Sequence, residues 1–191
     1  EGKTYEMLDM EFPTVDPKDP LKLTREEEEL VHTLRLSFKH SQLLHKHVKF
    51  LYSHGAMYKT CNQKLLYHGC IPMKKDGSFE ELEIFGVSYK GKGLMDMIDK
   101  IVQSAYFLPE GSPDKEASRD FMWYLWCGAA SPLYGKDKLA FFEQYFIGDE
   151  ECGKEHYNDY YKFSENADIC KKILRHFSIN EEKGHIINGH V

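Results

Sequence analysis

Every stretch of strand character in this chain is short and is stopped by turn residues. "AMYKTC" and "KLLYHG" are separated only by Asn62-Gln63, the spacing of a two-residue hairpin. "FEELEIFG" and "VSYKG" read as a second short hairpin around Gly86, and "KGHIINGHV" supplies one more strand near the end. Strands this short do not make a large sheet alone. The expected fold class is therefore mixed α/β or α+β, with small sheets and substantial helix.

The helical segments carry their own signals. Residues 1–24, with Pro13, Pro17 and Pro20, read as an extended lead-in. Thr24 in "TREEEEL" is an N-cap with Glu27 at the capping-box position, and the acidic first turn suits the helix dipole. One long helix is expected over 25–52, with Leu30, Leu34, Phe38, Leu44, Val48 and Leu51 as its apolar stripe. "KGLMDMIDKIVQSAYF" is amphipathic and is broken between Pro109 and Pro113, after which "DKEASRDFMWYLWCG" starts another helix. "KLAFFEQYFI" suits a short helix or a strand, "DEECGKEHYNDYYKFS" is a polar excursion, and "NADICKKILRHF" is a helix. Residues 1–191 are expected to form one domain or part of a larger one.

Charge narrows the function classes. With 25 Lys+Arg against 31 Asp+Glu the net charge is −6, and no basic face marks a nucleic-acid partner. A phosphorylated substrate stays open if cations are focused locally or a metal supplies the charge. No apolar run approaches the roughly 18 residues of a membrane helix. The five cysteines are odd in number, irregularly spaced and without a CxxC pair, which predicts reduced thiols and a cytoplasmic protein. The polar start shows neither a signal peptide nor an initiator Met, so a piece of a longer product is expected.

Ten histidines are many for this length. His40, His45 and His47 lie on the expected first helix without the carboxylate partner of an HExxH site, and partly exposed helix positions are the default reading. His54, before Gly55, suits a helix C-terminus. His68 and His190 differ. Each ends an apolar strand and each touches a glycine, in "LLYHG" and "IINGH". Strand ends in layered α/β folds aim side chains into shared crevices, and glycine there admits a close backbone or ligand. Two unrelated turns would leave the same pattern, and two histidines alone hold a divalent ion poorly. Cys70 reads as a buried thiol. Lys136 and Lys138, after a glycine in "SPLYGKDK", suit either a phosphate contact or a solvated basic loop, and the P-loop pattern is absent. No GxSxG or Cys/His signature supports nucleophilic catalysis. The competing class is a non-catalytic helical interaction or oligomerisation module without metal, with helix 25–52 and the aromatic stretch 121–146 as partner surfaces.

The order of motifs carries a resemblance. "MYKTCNQKLLYHGCIP", "MWYLWCGAASP" and "HIINGHV" resemble, in turn, the HGG-containing strand–turn–strand segment, the Trp loop region and the closing Gly-His strand of calcineurin-like phosphatases. The longer runs "LTREEEELVHTLRLSFKHSQLLHKHVKFLYSHGAMY" and "DFMWYLWCGAASPLYGKDKLAFFEQYFI" make the whole chain similar to bacterial class 3 fructose-1,6-bisphosphatases. The resemblance implies a dinuclear, usually Mn²⁺-dependent hydrolase of the 1-phosphate of fructose 1,6-bisphosphate in gluconeogenesis. A metal-bridging water would attack phosphorus in line. His68 and His190 would be metal ligands, Gly69 would leave the metal room, and Asn188 and Gly189 would shape the closing strand end. Residues 57–191 would form the C-terminal half of a phosphatase core. The family's Asp-x-His-Gly, Gly-Asp and Gly-Asn-His-Asp motifs have no counterpart here. The resemblance therefore implies an internal piece whose bridging and acid–base residues lie elsewhere, inactive when isolated.

Overall fold

A computed structural model describes residues 3–189. It divides into two compact units, Glu1–Gly55 with Phe142–Gly153, and Ala56–Phe141 with Lys154–Val191.

In the first unit, α1 (Arg25–His40) begins at the expected cap. Thr24 Oγ1 accepts the Glu27 N–H at 3.3 Å while Glu27 Oε2 accepts the Thr24 N–H at 2.7 Å, so two helix-end donors are satisfied reciprocally. The single helix expected over 25–52 is instead two. Ser41, with ψ 99°, closes α1 by donating its N–H to Phe38 O, and its hydroxyl accepts from Leu44 N to start α2 (Gln42–His54). A serine side chain that bonds its own backbone competes with helix continuation. The apolar stripe has the expected period, yet neither helix buries a residue: Leu30, Leu34, Phe38 and Leu51 are all more than half exposed. His40 and His47, expected on one helix, fall on different helices. The lead-in is not wholly free-standing, since Leu8 N–H donates to Phe146 O and Met7 bridges Ile147.

The second unit holds both sheets. β1 (Tyr58–Cys61) and β2 (Lys64–Tyr67) form the expected hairpin. Asn62 and Gln63 take φ of 50° and 61°, the positive pair that a tight right-twisted hairpin requires. β3 (Glu81–Ile84) and β4 (Val87–Lys90) pair separately, turning at Phe85-Gly86. α3 (Gly91–Phe107) buries Leu94, Met95, Ile98 and Ile101, one helical face. α4 (Pro113–Cys127) follows, capped by Ser112 with Pro113 in its first turn. Lys115 joins the two helices: its buried ammonium donates to Leu108 O at 2.6 Å and pairs with Glu110 at 2.9 Å. "KLAFFEQYFI" resolves to a short helix, α5 (Phe141–Phe146), which from Phe142 onward belongs to the first unit, and the polar excursion contains α6 (Tyr160–Phe163). α7 (Ala167–His176) starts at Asn166, whose side chain accepts from two backbone amides. β5 (His185–Asn188) then returns to lie parallel to β2, giving a sheet of order β1-β2-β5. Leu65, Ile71, Met73, Ile84, Ile98 and Ile173 form the centre of one apolar core. Among the described residues no helix is long and apolar enough to cross a membrane.

Candidate active site rim

Parallel strands end at the same edge of a sheet, so the register of β2 and β5 decides what their ends can share. Leu65 stands opposite Ile186, and Tyr67 opposite Asn188. The next residues, His68 and Gly189, are thereby brought side by side. The Gly189 N–H donates to Tyr67 O at 3.2 Å and also to His68 O. Asn188 Nδ2 reaches across to Gly69 O at 3.1 Å. A Cβ on Gly189 would stand 3.0 Å from His68 O and 3.4 Å from His68 Nδ1, so only glycine lets the two strand ends approach without a shift. Four sequence-predicted residues (His68, Gly69, Asn188 and Gly189) thus form one rim. His190 lies outside the described residues.

The segment after His68 is fixed from below. Gly69 and Cys70 are buried, and the Cys70 N–H donates to Pro132 O at 3.0 Å. That bond docks the loop beginning at Ser131 against the strand end. Ser131, itself fully buried, donates to Leu125 O at 2.6 Å and accepts from the amides of Leu133 and Tyr134. Burial pushes the Cys70 thiol up to about 12, which makes it a core atom rather than a nucleophile.

The two predicted loop cations have different surroundings. Lys136 is no solvated loop cation: it pairs with Glu155 at 2.9 Å and lies over the rings of Tyr134 and Tyr157. Lys138 is half-buried, and its carbonyl accepts from the Tyr134 hydroxyl at 2.8 Å. Glu155 holds this loop together. The Ala140 N–H donates to one oxygen at 3.0 Å and Lys136 to the other, and together they keep the carboxyl below the usual carboxylate range against the opposing effect of burial. A lowered folded-state value means that this contribution is present at neutral pH and is lost as pH falls below the ordinary glutamate value of about 4.3. Wild-type protein should therefore lose more stability than Glu155→Gln between about pH 5 and pH 3 in thermal unfolding. Parallel curves for the two would remove the assignment.

Sequence reasoning did not find the hollow beside the rim. His68 lines it with Met122, Leu125, Trp126, Leu133 and Tyr134, bringing the end of α4 and the Ser131 loop to the strand end. The i, i+3, i+4 spacing of Met122, Leu125 and Trp126 was the available signal, but it reads equally as a core stripe.

A profile of the Firmicute fructose-1,6-bisphosphatase family matches residues 1–191. The chain belongs to that family. Curated relatives named fructose-1,6-bisphosphatase class 3 align throughout it. The Clostridium beijerinckii protein is 48% identical over 190 residues, covering 100% of this chain and 28% of its own length. The Listeria innocua protein is 48% identical over 189 residues, covering 99% and 29%. The Bacteroides fragilis protein is 46% identical over 191 residues, covering 100% and 29%. The chain thus spans under a third of the length of these class 3 fructose-1,6-bisphosphatases. No solved structure matches it.

Whether a fructose-1,6-bisphosphatase metal fits this rim depends on its donors. Among the described residues no three His, Cys, Asp or Glu side chains gather to hold an ion. The rim offers, among the described residues, one exposed imidazole, a neighbouring glycine cradle and no carboxylate. That suits one corner of a metal shell, not a closed site.

Proposed function

We propose that this chain contributes one wall of the active site of a fructose-1,6-bisphosphate 1-phosphatase built on a calcineurin-like core. His68 and His190 would serve as ligands to a dinuclear Mn²⁺ centre whose other donors come from outside these residues. The chemistry proposed for the whole protein is hydrolysis of a sugar phosphate by metal-activated water, in gluconeogenesis and in the cytoplasm. The observation that supports it is the in-register end of β2 and β5, where His68 and Gly189 adjoin and Asn188 holds Gly69 in a member of this family.

The reading makes a sharp contrast. The 191-residue chain alone should bind Mn²⁺ weakly and release no measurable phosphate from fructose 1,6-bisphosphate, while the protein at the full length of its relatives should bind Mn²⁺ tightly and hydrolyse this substrate. Turnover by the isolated chain would overturn the division of the site. Lys136 and Lys138 are proposed as the loop's cations toward substrate. A charge-removing change at either, Lys136→Met or Lys138→Met, should raise KM at similar kcat.

A second reading is favoured by one observation, the exposed apolar stripes of α1 and α2. They suit a helical interaction or oligomerisation surface. As the sole function this would require a whole protein that binds no Mn²⁺, which metal analysis decides.

A further inference from the structure

The hollow beside His68 has a chemistry different from the rim. Its other lining residues are Met122, Leu125, Trp126, Leu133 and Tyr134, so among the described residues it contains no lysine, arginine or carboxylate. A phosphate would find no charge partner there. The hollow is also braced. Trp126 meets Trp123 edge-on, with ring centroids 5.0 Å apart and planes at 71°. Tyr134 is tied by its hydroxyl to Lys138 O, and Ser131 fixes the loop that carries Leu133 and Tyr134. Against this fixed frame the Trp126 indole is 54% exposed, a large apolar ring left facing water at the edge of a candidate site.

Resting on the function proposed above, we infer that this hollow is the subsite for the sugar ring of the substrate, with Trp126 as its stacking face. A furanose presents a face of C–H groups that packs on an aromatic ring, while its hydroxyls and phosphates stay on the polar side. An uncharged aromatic wall continuous with His68 places the ring beside the rim and leaves the phosphate to the rim itself. Small-molecule sites have this composition, mostly apolar with a few convergent polar groups. Trp126 is then a specificity-determining residue for the sugar.

The test uses the protein at the full length of its relatives and two substrates, fructose 1,6-bisphosphate and a ringless phosphomonoester such as phosphoserine. Trp126→Ala should raise KM for the sugar bisphosphate about 3- to 10-fold, the scale of one aromatic stacking contact. Its kcat and its hydrolysis of the ringless ester should match wild type, and Trp126→Phe should recover most of the loss. Because the ring is more than half exposed, the substitution should not impair folding. An unchanged KM, or an equal loss on both substrates, would overturn the inference while leaving the proposed phosphatase intact. A wild-type protein inactive on every phosphomonoester would instead remove the proposed function, and the subsite with it.

Discussion

His68→Ala, made in the full-length protein, is expected to lower kcat about a hundredfold or more and to reduce bound Mn²⁺, with little change in the stability of the metal-free protein. The imidazole is exposed at the end of β2, so truncating it opens no cavity. Backbone bonds from Gly189 to Tyr67 and His68 and from Asn188 to Gly69 would remain, since none uses the imidazole. Loss of metal and turnover with an unaltered unfolding midpoint of the metal-free protein would therefore mark a ligand. A variant that unfolds early would point to a structural histidine, and one with normal turnover would remove the role altogether.

The largest stability effect is expected one strand pair deeper. Leu65 is 0% exposed at the middle of β2, between Thr60 of β1 and Ile186 of β5. Leu65→Ala should cost about 3 kcal/mol, within the usual range of about 2–5 for a truncated core leucine. Urea unfolding of the second unit, or of the whole chain, measures it. The same strand carries His68, so activity should fall as the sheet loosens even though Leu65 touches no substrate. A cost under about 1 kcal/mol would mean that the site collapses freely and that β2 is not the centre of the core.

Much of this framework was legible in the residues. Turn chemistry located both hairpins, because Asn62 and Gly86 tolerate the positive φ that such turns need. A side-chain cap located the start of α1, and the break at Pro113 that of α4. The pairing of His68 with the Gly189 end was readable as two similar strand ends, but their parallel register was not, since nothing local in "KLLY" or "HIIN" names a partner. Ser41 was missed because a stripe of helical period runs through it, and only its hydroxyl bond to Leu44 N shows the break. Lys136 read as either a phosphate contact or a solvated cation, and its ion pair was not visible because Glu155 lies 19 positions away in the chain. Trp126 escaped for the opposite reason: its spacing looked like core, and exposure is not written in a periodic pattern.

The central claim is that the β2–β5 strand end is a metal-binding rim, and anomalous scattering at the manganese edge tests it most directly. In crystals of the full-length protein grown with Mn²⁺, an anomalous peak is expected within coordination distance of the His68 imidazole. A peak at another site, with the His68 ring uncoordinated, would contradict it.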